Sequence, residues 1–179
     1  YPDAGNLVLF EGNHDMSRLF SELGEDQALY RMALAFVATA PRIPQFYAGT
    51  EILMTSTVKG RDDASYRHDF PGGWAGDRVN AYTGAGLSDA QLAAQRYTKK
   101  LLNWRKQASV IHHGRTMHFG PEQNTYVYFR YDGQHKVMVA LNKNRSDTVL
   151  KTARFHELLQ GASSAVDVVT GQRIALGEQ

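Results

Sequence analysis

The chain has 179 residues, with 42% hydrophobic and 21% charged content and no cysteine, an ordinary make-up for a globular protein of one large domain or two small ones. A formal net charge of +2 is too small to point to nucleic acid, and Lys99, Lys100, Arg105 and Lys106 read as the solvated face of one helix. The missing cysteines exclude disulfides and thiolate metal sites, and no apolar run is long enough to span a bilayer.

The opening residues YPDAGN carry neither a charged n-region nor an apolar h-region and lack a starting Met, as expected of a fragment or a processed product. Leu7 to Phe10 then form an unbroken apolar run, the pattern of a parallel strand buried on both faces. It leads into Glu11, Gly12, Asn13, His14 and Asp15, where Gly12 makes a bend cheap. From about Asp26 to Ala40 the pattern is helical, with Leu29, Met32, Ala33, Phe36, Val37 and Ala40 on one face, and Pro41 ends it. Ile43 to Tyr47 is a second short strand, with Pro44 near its start. The stretch from Thr50 to Leu87 shows little periodicity, and a loop of that length is usually functional.

Ser88-Asp89-Ala90-Gln91 reads as a capping box for a helix whose apolar stripe is Leu92, Tyr97, Leu101, Trp104 and Ala108. The order strand, helix, strand, long loop, helix makes two βα units. Beyond Gln107 the texture becomes antiparallel β, as in a separate small domain from Ser109. Thr125 to Tyr131 and Lys136 to Asn142 flank Asp132-Gly133, which predicts a hairpin closed by a type I′ turn with positive φ at both residues. Val166 to Val169 and Arg173 to Leu176, around Thr170-Gly171-Gln172, predict a second hairpin.

Parallel strands in α/β folds carry functional residues at their C-terminal ends, where Asn13-His14-Asp15 stands. On an extended chain His14 and Asp15 point apart and would not form a relay. The same residues read equally well as a polar loop with an Asn-Asp turn. His112, His113 and His118 read as surface histidines rather than metal ligands. No nucleophile elbow, dinucleotide fingerprint or Walker loop is present.

FEGNHDMSR (10–18) resembles the fourth signature region of the α-amylase family of glycoside hydrolases, matching at Phe10, Asn13, His14, Asp15 and Arg18 and departing at Gly12, where the family often has Asp. Further resemblances follow in order. RIPQFYAGTEILM (42–54) is similar to the eighth barrel strand and its loop, with Arg42 and Phe46 as departures. RHDFPGGW (67–74) looks like a loop of the neopullulanase and cyclomaltodextrinase branch. LLNWRKQASVIHHG (101–114) resembles the last barrel helix, and VMVALNKN (137–144) a strand of the C-terminal domain.

This resemblance implies an α/β plus all-β chain. Residues 1–108 would be the last two βα units of a (β/α)8 TIM barrel, and residues 109–179 a small antiparallel β-sandwich domain ending short of its final strand. A whole barrel takes about 250 residues. Family members are retaining glycosidases on α-1,4-glucans such as starch, maltooligosaccharides, cyclodextrins or pullulan, and they need a nucleophile and an acid about 5–5.5 Å apart. The resemblance puts both carboxylates upstream of Tyr1, so the chain alone is expected to be inactive. It makes Asp15 the third carboxylate, binding hydroxyls of the reacting sugar and raising the acid's pKa. His14 would be a hydroxyl partner at the same sugar.

Arg18, Asn13, Arg67 and Asp69 would be substrate-binding or loop-shaping residues. Tyr47 and Glu51 would be architectural, and Trp74 is expected to pack at the core or rim. No metal or cofactor is implied for this chain. The implied partners are an α-glucan oligosaccharide, the rest of its own barrel and, for two βα units with open edges, a second copy; nucleic acid and membrane are not. The substrate class suits a periplasmic or secreted address without excluding the cytoplasm. A non-catalytic carbohydrate-binding or scaffold relative, and a transglycosylase or isomerase, are the alternative readings.

Overall fold

The computed structural model describes residues 2–58 and 62–177. The chain forms two compact units, Tyr1–Lys99 and Lys100–Gln179. In the first, strand β1 (Val8–Phe10) is followed by a short helix α1 (Leu19–Glu22), helix α2 (Gln27–Thr39) and strand β2 (Ile43–Gln45). β1 and β2 pair in parallel, with Val8 opposite Ile43 and Phe10 opposite Gln45, which requires the helical crossover between them.

Alternation puts Val8, Phe10, Ile43 and Gln45 on one face of this ribbon. That face is open: Val8 is 52% exposed, Phe10 43% and Ile43 50%. The expected burial on both faces is thus not met, because each strand has one bonded neighbour and α2 lies against the ribbon from one side.

Helix α2 starts where the Asp26 carboxylate accepts the Ala28 and Leu29 N–H groups at 2.8 and 3.1 Å. It ends at Ala40, whose extended backbone suits a residue before proline. The helix is turned relative to the expected stripe. Tyr30, Leu34, Val37 and Ala38 are buried, while Phe36 is 37% exposed. The helix is apolar around much of its circumference, so periodicity alone does not choose its face. The buried Tyr30 hydroxyl, 3.1 Å from the Thr98 hydroxyl, and the edge-on packing of Phe20 on the Tyr30 ring do.

The stretch from Thr50 to Leu87 is more ordered than its periodicity suggests. It holds a 3-10 turn (Thr50–Ile52), a one-turn helix α3 (Asp63–Tyr66) and an isolated bridge between Asn80 and Ala85. Ile52, Met54, Ala81 and Leu87 form its own small core, with Phe70, Val79 and Leu92 packed around it. Helix α4 (Asp89–Gln107) follows, and its capping box is formed: the Ser88 N–H donates to Gln91 Oε1 at 3.0 Å and the Gln91 N–H to Ser88 Oγ at 3.3 Å.

The second unit continues with α5 (Ser109–His113) and an antiparallel sheet of β3 (Arg115–Glu122), β4 (Thr125–Tyr131) and β5 (Lys136–Asn142), in that order. β4 and β5 have the bounds expected of the first hairpin, but their turn is not type I′. Gly133 does not take positive φ. Instead the Asp132 carboxylate accepts the Gln134 and His135 N–H groups at 2.8 and 2.7 Å, and these bonds hold its pKa below the usual carboxylate value. The left-handed pair sits at Gln123 and Asn124, φ 48° and 56°, between β4 and the unforeseen β3. β3 is hard to read because Gly120-Pro121 interrupts it and its ladder shifts register between Phe119 and Glu122.

Val127 and Phe129 of β4 face Phe155 of a 3-10 turn (Thr152–Phe155) and Leu158 and Leu159 of α6 (His156–Leu159). The second hairpin forms from β6 (Ser164–Val166) and β7 (Arg173–Ala175), so its first strand begins earlier than expected and the Asp167 carboxylate caps the loop.

Arg130, 2% exposed, points from β4 to the α5 side. Its guanidinium donates to Thr116 Oγ1 (2.7 Å), the Ile111 carbonyl (2.8 Å) and the Gly114 carbonyl (2.9 Å), tying the end of α5 to the sheet. Removing one side of such a buried network strands the carbonyls. Arg130→Ala is therefore expected to cost about 3 kcal/mol of stability, and Arg130→Lys most of that because an ammonium lacks the planar fork. Urea unfolding followed by circular dichroism measures both; a midpoint shift below the error of the fit would contradict the assignment.

Candidate functional site

Glu11, the first residue after β1, turns inward. Its Oε1 accepts the Tyr47 N–H at 2.8 Å and the Thr50 hydroxyl at 2.9 Å, so it binds the chain after β1 to the chain after β2. Its second oxygen is buried without a hydrogen-bond partner among the described residues. Burial pushes the Glu11 pKa up, opposed by those two hydrogen bonds and by the Arg18 charge.

Arg18 completes this stitching from below. It is 3% exposed, lies 4.0 Å from the centre of the Tyr47 ring, and donates from Nη1 to the Ala48 carbonyl. Its backbone N–H donates to Ser56 Oγ at 2.9 Å. The guanidinium thus lies under the loops, where it shapes them. Gly49, at φ 97°, has no room for a Cβ, which would overlap the Met54 sulfur and press on Arg18. Its N–H goes to the Glu51 carboxylate at 2.9 Å. Tyr47 and Glu51 are both parts of this framework.

Above it Asn13 folds the chain into an Asx turn, its Oδ1 taking the Asp15 N–H at 2.8 Å and its carbonyl the Met16 N–H at 3.3 Å. The turn brings together what an extended chain would separate: His14 Nε2 lies 3.3 Å from Asp15 Oδ2. Gly12 is not the residue that permits this. It does not take positive φ, and a Cβ there would meet nothing within 4 Å.

Arg67, just past α3, clamps the turn. Its Nη2 is 2.6 Å from Asp15 Oδ1 and 3.1 Å from Asp63 Oδ2, one helical turn earlier, while its Nε donates to the His14 carbonyl at 2.9 Å. The side chains of His14 and Asp15 remain 65% and 62% exposed. Exposed ion pairs of this kind add at most ~1 kcal/mol, so the arrangement aims groups at solvent and stabilises little. Asp69 is exposed and makes no hydrogen bond or ion pair among the described residues; it does not join the cluster. Among the described residues no group of three or more His, Asp or Glu is arranged to hold a metal.

Sequence reading missed Glu11 and Asp63. A lone charge at the end of an apolar strand was the available signal for the first. The acid–base spacing of Asp63 and Arg67 was the signal for the second.

Residues 116–179 match the family model of the cyclo-malto-dextrinase C-terminal domain. A cyclomaltodextrin glucanotransferase of Thermoanaerobacterium thermosulfurigenes is 28% identical over 166 residues, covering 93% of this chain and 20% of the relative. An alpha-amylase of Niallia circulans is 26% identical over 179 residues, covering 96% of this chain and 30% of the relative. Among solved structures, the alpha-amylase of Geobacillus thermoleovorans complexed with acarbose superposes with a TM-score of 0.67 at 18% identity, over 96% of this chain and 34% of that one. AmyP in complex with maltose superposes with a TM-score of 0.69 at 19% identity, over 94% of this chain and 36% of that one. The chain therefore spans about a fifth to a third of the length of the curated relatives it matches.

Because the Glu11 pKa is raised on folding, the unfolded chain gives up its proton first as pH rises. The contribution of Glu11 to stability is then full below the ordinary value of 4.5 and is lost as pH climbs through the interval up to the folded value. Glu11→Gln keeps an acceptor for Tyr47 and Thr50 but cannot ionise. It is expected to remove this fall, measured as a flatter dependence of the unfolding midpoint on pH between 4 and 8.

Proposed function

We infer that this chain, a member of the α-amylase family, is the C-terminal part of a retaining glycoside hydrolase acting on α-1,4-glucans. The carrying observation is the Asx turn after β1, which sets Asp15, His14 and Arg67 side by side, open to solvent, at the C-terminal end of a parallel strand. That is where barrel enzymes hold their chemistry. Curated relatives along nearly the whole chain, glucanotransferases and amylases, support the substrate class.

In this reading residues 1–108 are the last two βα units of a (β/α)8 barrel and residues 109–179 a β-sandwich domain. The open face of Val8, Phe10 and Ile43 is closed by the rest of the barrel. A nucleophilic Asp and an acid Glu, outside this chain, attack and protonate the glycosidic bond. Asp15 supplies the third carboxylate. Arg67 holds one of its oxygens, leaving the other, beside His14, to accept sugar hydroxyls whose hydrogen bonds shorten as the ring flattens towards the oxocarbenium ion. Asn13 and Arg18 keep the turn in shape, and Asp69 lies on the same loop as Arg67.

A second reading keeps this machinery and changes the acceptor from water to a sugar. The transferase names of several relatives favour it. Product analysis of the whole protein on maltotriose separates the two, since longer oligosaccharides form only by transfer.

The chain alone is expected to release no reducing sugar from maltooligosaccharides or cyclodextrins. In the whole protein Asp15→Asn should lower kcat by about 10²–10³-fold, the scale of losing one preorganised transition-state contact. Turnover by the isolated chain, or a fully active Asp15→Asn protein, would overturn the proposal.

A further inference from the structure

The segment that carries Arg67 does not rest on its tryptophan. Trp74, expected to pack at the core or rim, is 67% exposed. Its backbone is held instead by the Asp77 carboxylate, which accepts the Gly72 and Trp74 N–H groups at 2.8 and 3.1 Å. Helix α3, just before Arg67, is one turn of four residues, too short to be stable by itself. Where it sits, and so where Arg67 reaches, is decided by what grips it.

Tyr66, the last residue of α3, is 3% exposed, and its hydroxyl accepts the Asp62 N–H at 2.9 Å, which closes the turn on itself. Beyond Arg67, His68 Nε2 lies 2.8 Å from the Thr55 carbonyl. The grip nearest to Arg67 comes from Tyr47. Its hydroxyl donates at 3.3 Å to the Tyr66 carbonyl, the oxygen of the peptide that leads into Arg67. Tyr47 is itself held at both ends. Glu11 Oε1 accepts its N–H at 2.8 Å, and the Arg18 guanidinium lies 4.0 Å from its ring centre.

These contacts close a circuit. It leaves the end of β1 at Glu11, passes through the Tyr47 backbone and hydroxyl to the Tyr66 carbonyl, and continues to Arg67. Arg67 returns it to the turn after β1, with Nη2 2.6 Å from Asp15 Oδ1 and Nε 2.9 Å from the His14 carbonyl. A closed circuit transmits a shift at any link to Asp15. The hydroxyl of Tyr47 is the link that packing does not need, since the contact with Arg18 requires a ring and not a phenol.

We propose that Tyr47 is a positioning residue for the reaction: through the Tyr66 carbonyl it sets Arg67, and Arg67 sets the Asp15 carboxylate. This role rests on the function proposed above, in which Asp15 meets the sugar hydroxyls most strongly in the transition state. Placement is costly to lose there, because misplacing a reacting contact by about 1 Å from a remote site can cost about 10²-fold in rate.

The test is a double-mutant cycle in the whole protein. Tyr47→Phe keeps the ring over Arg18 and should lower kcat on maltotriose about fivefold, the scale of one neutral hydrogen bond lost, with KM changed less than about twofold. The Arg67 side chain is 43% exposed, so Arg67→Ala leaves the fold intact. In that background Tyr47→Phe should change kcat less than about twofold, because the link it acts through is gone. An unchanged kcat in the single variant, or the same loss in both backgrounds, would overturn the proposal, since a merely structural tyrosine gives one or the other. The crystal structure of Tyr47→Phe supplies a reading that needs no turnover. The contact between Arg67 and Asp15 should be lost or spread over several conformers, and an unmoved Arg67 overturns the proposal as well. The two proposals fail separately: a wild type that leaves maltotriose intact sinks the glycosidase reading while the crystal structure still decides the Tyr47 link, and an active wild type with an unaffected Tyr47→Phe sinks the positioning role alone.

Discussion

The Glu11 carboxylate, taking the Tyr47 N–H and the Thr50 hydroxyl, is the bond on which the exposed site depends. Two three-residue parallel strands form a short ladder and would by themselves leave the loops at their ends loosely related. Glu11 and Arg18 convert those loops into one framework, with Arg18 reaching under Tyr47 to the Ala48 carbonyl. The cost is a buried carboxylate with one unsatisfied oxygen, an expense of the kind structures retain where position matters more than stability.

On that framework the Asn13 turn behaves as a mount. It holds Asp15 and His14 towards water, while Arg67 from a distant loop supplies the counter-charge and a bond to the His14 carbonyl. Asp63 holds Arg67 in turn. The cluster is thus assembled from two segments remote in sequence: the turn after β1, and helix α3 with the residue that follows it. Its ion pairs are too exposed to hold the fold, so their value lies in orientation.

Much of this was legible from residue order. The capping box at Ser88, the β4–β5 hairpin and the helix after Asp26 follow local rules, and local rules act over a few residues regardless of the rest of the fold. Asn13, His14, Asp15 and Arg67 were legible as site candidates. The burial of Arg18 was not, because a charged side chain signals its burial only through partners far along the chain. The rotation of α2 was hidden for the same reason, and the exposure of Trp74 because the loop that carries it has no apolar period to read. Tyr30 chooses its face through Thr98, and Asp77 and Asn80 lift the loop through bonds that no periodicity records.

The sequence by itself determined which elements exist and which chemical groups are on offer, since caps, turns and apolar period are written within each segment. It also carried a family likeness through the Asn13-His14-Asp15 turn and the loop ending at Trp74. Tertiary structure alone decided which groups meet. Arg67 reaches the Asp15 carboxylate because α3 brings it there, and Glu11 is buried because the loop after β2 closes over it. Those outcomes depend on contacts spanning thirty residues or more, whose energies are settled only when the chain has folded.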